Sequence, residues 1–216
     1  MRGAGRGGHG ALRLALALAL ALAAGAAGAA DPSGHYQRSY DLEASGEIER
    51  ALLALDEVDA AERATYFFRL RRGWLLYLAG RHWDAMEEYR RASRLAPLAV
   101  EAQLGLSLPQ MALRLWLDAR VTLEGALALD PKGYMVRSRL AYVDYNLGRF
   151  ASAERLYREL LIAYPSDVEM RVGLAWSLFK QGAVGAAMAE FKAVQRVAPR
   201  HPFGQPPTPG AAGGGR

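Results

Sequence analysis

Cysteine is absent from the 216 residues. That excludes disulfides, zinc–thiolate sites, a cysteine nucleophile and a lipid anchor on cysteine. Histidine is scarce. Outside residues 1–30 only His35, His82 and His201 occur, and none has a second His or an acid at metal-ligand spacing on one helical face. No Gly-rich loop ends in Lys-Ser or Lys-Thr, and there is no Gly-x-Ser-x-Gly turn, so neither a phosphate loop nor a nucleophile elbow is present. A strong charge of one sign is also missing. The formal charge is +5, but Arg2, Arg6 and Arg13 lie in an acid-free first thirty residues, and the remainder is close to neutral. These absences argue against an enzyme, a metal site, a cofactor and a nucleic-acid partner.

The two ends have compositions of their own. Residues 1–30 begin basic, continue as a Leu/Ala run from Leu12 to Ala24, and close on small residues, Ala27-Gly28-Ala29-Ala30. This order predicts a secretory signal peptide over 1–30, cleaved after Ala29 or Ala30, and therefore export to the periplasm, the cell envelope or the medium without a lasting membrane anchor; the alternative is a leader kept as an uncleaved anchor, against which stand the run's shortness and its Ala-rich composition. Residues 202–216, PFGQPPTPGAAGGGR, are rich in Pro and Gly and nearly uncharged, which predicts a disordered tail. Roughly 170 residues remain between these ends, enough for one domain.

Within that stretch proline is few but regular. Pro97, Pro131, Pro165 and Pro199 stand 34 residues apart, and so do Ala51, Ala85, Ala119, Ala153 and Ala187. A Gly column (Gly80, Gly148, Gly182) and an aromatic column (Tyr89, Tyr157, Phe191) run in phase with them, as does a small-residue column, Ser39, Gly73, Ser107, Ala141 and Ala175. Each period reads as two amphipathic helices, stopped in the middle by Gly and at the end by Pro. The two small columns let the helices of a pair approach closely. Fixed-period self-similarity of this length is the sign of a solenoid.

Thirty-four residues, two antiparallel helices, small-to-small contact and a closing Pro resemble the tetratricopeptide repeat family. The resemblance covers five units, 32–65, 66–99, 100–133, 134–167 and 168–201, within a domain over 31–201. It implies an all-α, right-handed superhelical solenoid that binds partners through its concave face. Several positions depart from the family pattern. The usual first-helix Trp is replaced by His35, Arg69, Gln103, Arg137 and Arg171, and the first unit has Arg63 where the closing Pro belongs. The third unit has Arg114 in the Gly column and Pro109 inside its first helix, so the stack is expected to bend there or its groove to change shape. Asp144 stands where an aromatic is usual and reads as a partly exposed acid paired with a neighbouring Arg. Glu87 with Arg91 and Glu154 with Arg158 read as solvated i,i+4 pairs.

In this family the ninth and twelfth positions of each unit face the groove. The ninth column here is Tyr40, Trp74, Leu108, Tyr142 and Trp176; the twelfth is Glu43, Tyr77, Met111, Tyr145 and Phe179, with Arg71, Arg139, Asn146 and Lys180 around them. Two readings stay open. The rings are core between adjacent helices, or they form a partner-binding strip, since aromatics and Arg are enriched at binding hot spots. The carboxylate-clamp subset of the family needs Asn at the ninth position, which this chain lacks. The resemblance implies a non-catalytic scaffold or adaptor of the bacterial envelope that binds a protein partner. The alternative is a glycan-binding module in polysaccharide machinery, for which Asn146 beside Tyr145 is the local hint. After Pro199 no capping helix can follow, so Val184, Met188, Phe191 and Val194 are expected to form an uncovered apolar face that pairs with a second copy or another subunit; the alternative is that Pro202, Phe203 and the tail after them fold back over it.

Overall fold

The computed structural model describes residues 31–206. The signal peptide expected over 1–30 and the tail beyond 206 lie outside the described residues. Among those described, all regular structure is helical, and two compact units divide between Ala64 and Thr65.

The first unit holds α1 (Ser33–Ala44), α2 (Ile48–Asp56) and a single turn, α3 (Ala60–Arg63). The Tyr36 hydroxyl donates to Glu62 Oε1 at 2.5 Å. Arg63, standing where the closing Pro is expected, donates from Nε to the Val58 carbonyl at 2.9 Å and from Nη2 to the Asp56 carbonyl. It thereby satisfies carbonyls left open at the end of α2, as basic side chains do at helix C-termini.

The second unit is a stack of four helix pairs: α4 (Tyr66–Leu78) with α5 (His82–Leu95), α6 (Val100–Ala112) with α7 (Trp116–Leu129), α8 (Tyr134–Asn146) with α9 (Phe150–Ala163), and α10 (Val168–Lys180) with α11 (Val184–Val197). Starts and stops follow the sequence. The Thr65 and Asp167 side chains accept from the N–H groups of Phe68 and Met170 at the starts of α4 and α10. Each first helix closes with paired backbone bonds around a left-handed residue. At Gly148 these run from Arg149 N to Asp144 O (2.8 Å) and from Gly148 N to Tyr145 O (3.0 Å). Arg114 makes the same pair of bonds at φ 57°, the single non-glycine with positive φ among the described residues. A side chain in that conformation costs roughly 1–2 kcal/mol, which glycine avoids.

The two small columns meet as the pattern requires. Ala85, Ala119, Ala153 and Ala187 have no accessible surface, and neither do Ser107, Ala141 and Ala175. Between pairs, contact runs from each second helix to the next first helix, and from each first helix to the next first helix. Second helices do not pack on one another among the described residues. The row of first helices is therefore the tighter one, and this stack curves with α4, α6, α8 and α10 on its inner side.

Glycine sets how closely the pairs approach. A Cβ at Gly105 would come 2.2 Å from the Tyr89 ring, and one at Gly173 would come 2.3 Å from the Tyr157 ring. Both rings are buried and belong to the aromatic column, so each such junction joins a large residue to an absent one. The intervening junction has Leu123 and Arg139 in the same two columns. Pro109 does not end α6, which continues to Ala112. It removes one N–H from the helix ladder. One turn away, Arg139 Nη1 donates to the Leu104 carbonyl at 2.6 Å and to Ser107 Oγ at 3.2 Å.

Candidate functional site

The inner face is built from ninth- and twelfth-position residues of α4, α6, α8 and α10, several of which also touch the start of their own second helix. Tyr142 is half exposed, at 50%, and stands edge-on to Trp116 at 5.9 Å. Trp74 and Tyr77 are half-buried and touch at 5.7 Å; Tyr77 also meets the His82 ring at 5.6 Å. Tyr145 packs edge-on against Phe150, and Trp176 against Phe179. Met111, Tyr145, Trp176 and Phe179 rest on the core cluster with part of their surface open. The rings are thus neither wholly core nor free: their inner edges pack and their outer faces line the surface. Lys180 is exposed at the end of α10. Tyr40 is exposed on α1, in the first unit.

Two expected contact residues sit elsewhere. Arg71 is only 5% exposed, on the stripe of α4 that also buries Phe68 and Leu75. Arg139 threads between α6 and α8 to the Leu104 carbonyl; with Leu rather than Tyr at 123, the aromatic column leaves it room. Burial lowers its pKa from the ordinary value, against an opposing effect from nearby Tyr77 and Tyr89. Arg71 and Arg139 are therefore internal ties, not groove cations. Asn146 is exposed on α8, and its amide nitrogen donates to the Tyr142 carbonyl at 2.8 Å within its own helix.

The expected open end is also corrected. Val184 is 47% exposed and Met188 is half-buried, but Phe191 and Val194 have no accessible surface. Phe191 lies under the edge of Trp176 at 5.4 Å. Residues 201–205 fold back as a strap over the end of the pair. The Trp176 indole donates to the Phe203 carbonyl at 2.8 Å, and the His201 ring meets Glu169 Oε1 at 2.8 Å. Gln195 donates to Gln205 Oε1 at 2.9 Å, and Gly204 is buried where a Cβ would lie 2.7 Å from Val194 Cγ1. The Pro/Gly-rich composition favours disorder here, and the fold-back is the alternative that the structure shows. The signal was present in His201-Pro202-Phe203-Gly204, with Pro second and Gly fourth as a type I turn prefers; the Gly204 N–H does bond the His201 carbonyl at 3.1 Å.

A second concavity, on the outer side, occupies about 350 Å³ between α7, α8 and α9. At its floor is Asp144, 1% exposed and not partly exposed as expected. Arg120 Nε donates to it at 2.9 Å and the Ser152 hydroxyl at 2.6 Å. Arg120 also pairs with Glu124 at 2.9 Å, while Glu159 takes Arg137 at 3.5 Å and Arg155 at 3.6 Å. Acids and bases balance, and the Asp144 oxygens are both engaged, so the cluster serves as a buried structural pair. Burial pushes the Tyr89, Tyr145 and Tyr157 phenols up, which holds them neutral. Among the described residues there is no group of three or more His, Asp or Glu placed to hold a metal ion, and no helix is long and apolar enough to cross a membrane.

Helix pairs on a 34-residue period, joined small-to-small and stacked with first helices inward, define a tetratricopeptide-repeat solenoid. The tetratricopeptide repeat family matches over residues 138–202, so that stretch carries the repeat by sequence, and the rest of the stack shares its fold. Among solved structures it is similar to MamA from Desulfovibrio magneticus RS-1 (residue 41 to the end). The TM-score is 0.71 at 16% identity, covering 78% of this chain and 96% of that one. It is similar to another MamA crystal structure with TM-score 0.68 at 18% identity, covering 76% and 90%. A tetratricopeptide repeat protein from Parabacteroides merdae ATCC 43184 gives 0.68 at 20%, covering 83% and 70%. At such identities the likeness carries the fold. No curated protein matches the chain.

Proposed function

We propose that this protein is a non-catalytic adaptor of the bacterial cell envelope, whose inner helix face receives a segment of a protein partner. The observation that carries this is the half-open state of the inner rings, with Tyr142 at 50% exposure beside Trp116. A ring packed on one edge and open on the other is pre-ordered, so a ligand that covers it loses little side-chain entropy on binding. Aromatic anchors of this kind dominate interface energies. The placement in the envelope rests on the order of residues 1–30, and the adaptor role on the fold and this face.

The test is a photo-crosslinking amino acid at position 142, with a second at Ile162, which is 84% exposed on α9. The expected result is one protein partner captured from 142 and not from 162. Tyr142→Ala should weaken capture of that partner by about 1–3 kcal/mol, as truncation of an interface anchor does, with the melting temperature unchanged within a few degrees. Equal labelling from the two positions, or capture indifferent to Tyr142→Ala, overturns the reading.

A further inference from the structure

Each inner helix pair offers a groove that the next first helix fills. The α8–α9 pair takes α10, with Gly173 set against Tyr157. The α10–α11 pair offers the same groove, but residue 202, where a sixth unit would begin, opens a strap and not a helix. The strap's ties show what this groove reads. Trp176, a ninth-position residue, donates its indole N–H to a main-chain carbonyl, which any residue can supply. Val194 allows only a glycine at 204. Glu169 takes an imidazole and Gln195 an amide. The Phe203 ring, 67% exposed, contributes little burial. The groove thus holds His201-Pro202-Phe203-Gly204-Gln205 by a backbone carbonyl, a glycine and two polar ends.

We propose that the groove between α10 and α11 is a peptide-docking site for a Pro-x-Gly turn, occupied in this chain by its own residues 201–205, and that a partner segment of the same kind enters by replacing them. The proposal deepens the adaptor reading and rests on it. A tethered segment acts at an effective concentration on the order of millimolar, so a strap of weak intrinsic affinity keeps the groove filled. The few, mostly exposed ties of the strap leave it replaceable by a partner that adds contacts to Trp176 and the inner face beyond it.

The probe is a fluorescent peptide copying residues 198–206, titrated by anisotropy into the full chain and into the full chain carrying Gly204→Val. The valine places atoms where Val194 already stands and releases the strap from the groove. The peptide should bind the released chain at least ten-fold more tightly than the parent. Trp176→Phe in the released chain should weaken binding about five-fold. A second released chain, His201→Ala with Gln205→Ala, removes two ties without adding bulk and should bind the peptide like the first, which covers the case of Gly204→Val failing to fold. Equal affinity for parent and folded released chains, or none for either, overturns the proposal, as does indifference to Trp176→Phe. Such a failure with cross-linking at 142 intact would leave the adaptor reading standing; loss of the 142 result with peptide binding intact would do the reverse.

Discussion

Between α9 and α10, Tyr157 rests on Gly173 with no room for a Cβ. Between α7 and α8, the same two columns hold Leu123 and Arg139, and the junction instead contains Arg120, Ser152 and a buried Asp144. One period thus accommodates two kinds of interface. The first is apolar and fixed by shape; the second is polar and fixed by charge and hydrogen bonds. A shape-fixed junction fails by overpacking. A charge-fixed junction fails when one member of the pair is lost, because the other stays buried and unpaired. The contrast shows that the repeat pattern constrains helix placement and leaves each junction free to choose its chemistry, provided the two columns stay complementary in size.

The largest expected effect breaks the polar junction. Asp144→Ala removes the acceptor of the Ser152 hydroxyl and the buried partner of Arg120, which keeps Glu124, and should cost about 2–3 kcal/mol, in the range for losing hydrogen bonds to a buried charged group. Denaturant unfolding measures it. The paired change Arg120→Met with Asp144→Leu, which copies residue types used at Met86 and Leu178 in these columns, should recover most of the loss. A double variant as unstable as the single one would mean that the pair is needed for placement and not only for its own neutralisation.

Next comes the apolar junction. Gly173→Val forces the buried Tyr157 ring out of its place and should cost about 2 kcal/mol, within the usual range for overpacking. Thermal melting reads it, and unaltered stability would show that the junction is looser than the 2.3 Å approach implies. The smallest effect has the opposite sign. Arg114→Gly relieves the left-handed strain at φ 57°, with part of the gain lost to the freer unfolded chain, so it should stabilise by about 1 kcal/mol or less. A destabilised Arg114→Gly would show that the arginine side chain contributes more than its backbone strain costs.

The sequence was most informative where a residue type has one physical use. The Ala and small columns predicted buried helix contacts, and those residues are buried. The Gly column predicted helix stops, and Gly80, Gly148 and Gly182 are left-handed there. The i,i+4 pairs Glu87–Arg91 and Glu154–Arg158 form at 3.0 and 2.8 Å, because a helix alone sets that distance. The residues misplaced by the sequence reading were Arg71, Arg139, Asp144, Phe191 and Val194. Each has two physically acceptable positions, inside with a partner or outside in water, and for Arg139, Asp144 and Phe191 the partner comes from another helix.

Local sequence alone therefore determined the period, the helices, their caps and the faces that join within a pair, since these depend on interactions a few residues apart or on one repeated spacing. Only the tertiary structure decided which long polar side chains turn inward and what covers the last pair. Arg139 finds its acceptor at Leu104, 35 residues away, Arg120 finds Asp144 24 residues away, and Trp176 finds Phe203 27 residues on. Helix periodicity does not encode such distances, because they exist only once the stack has brought the partners together and removed the water between them.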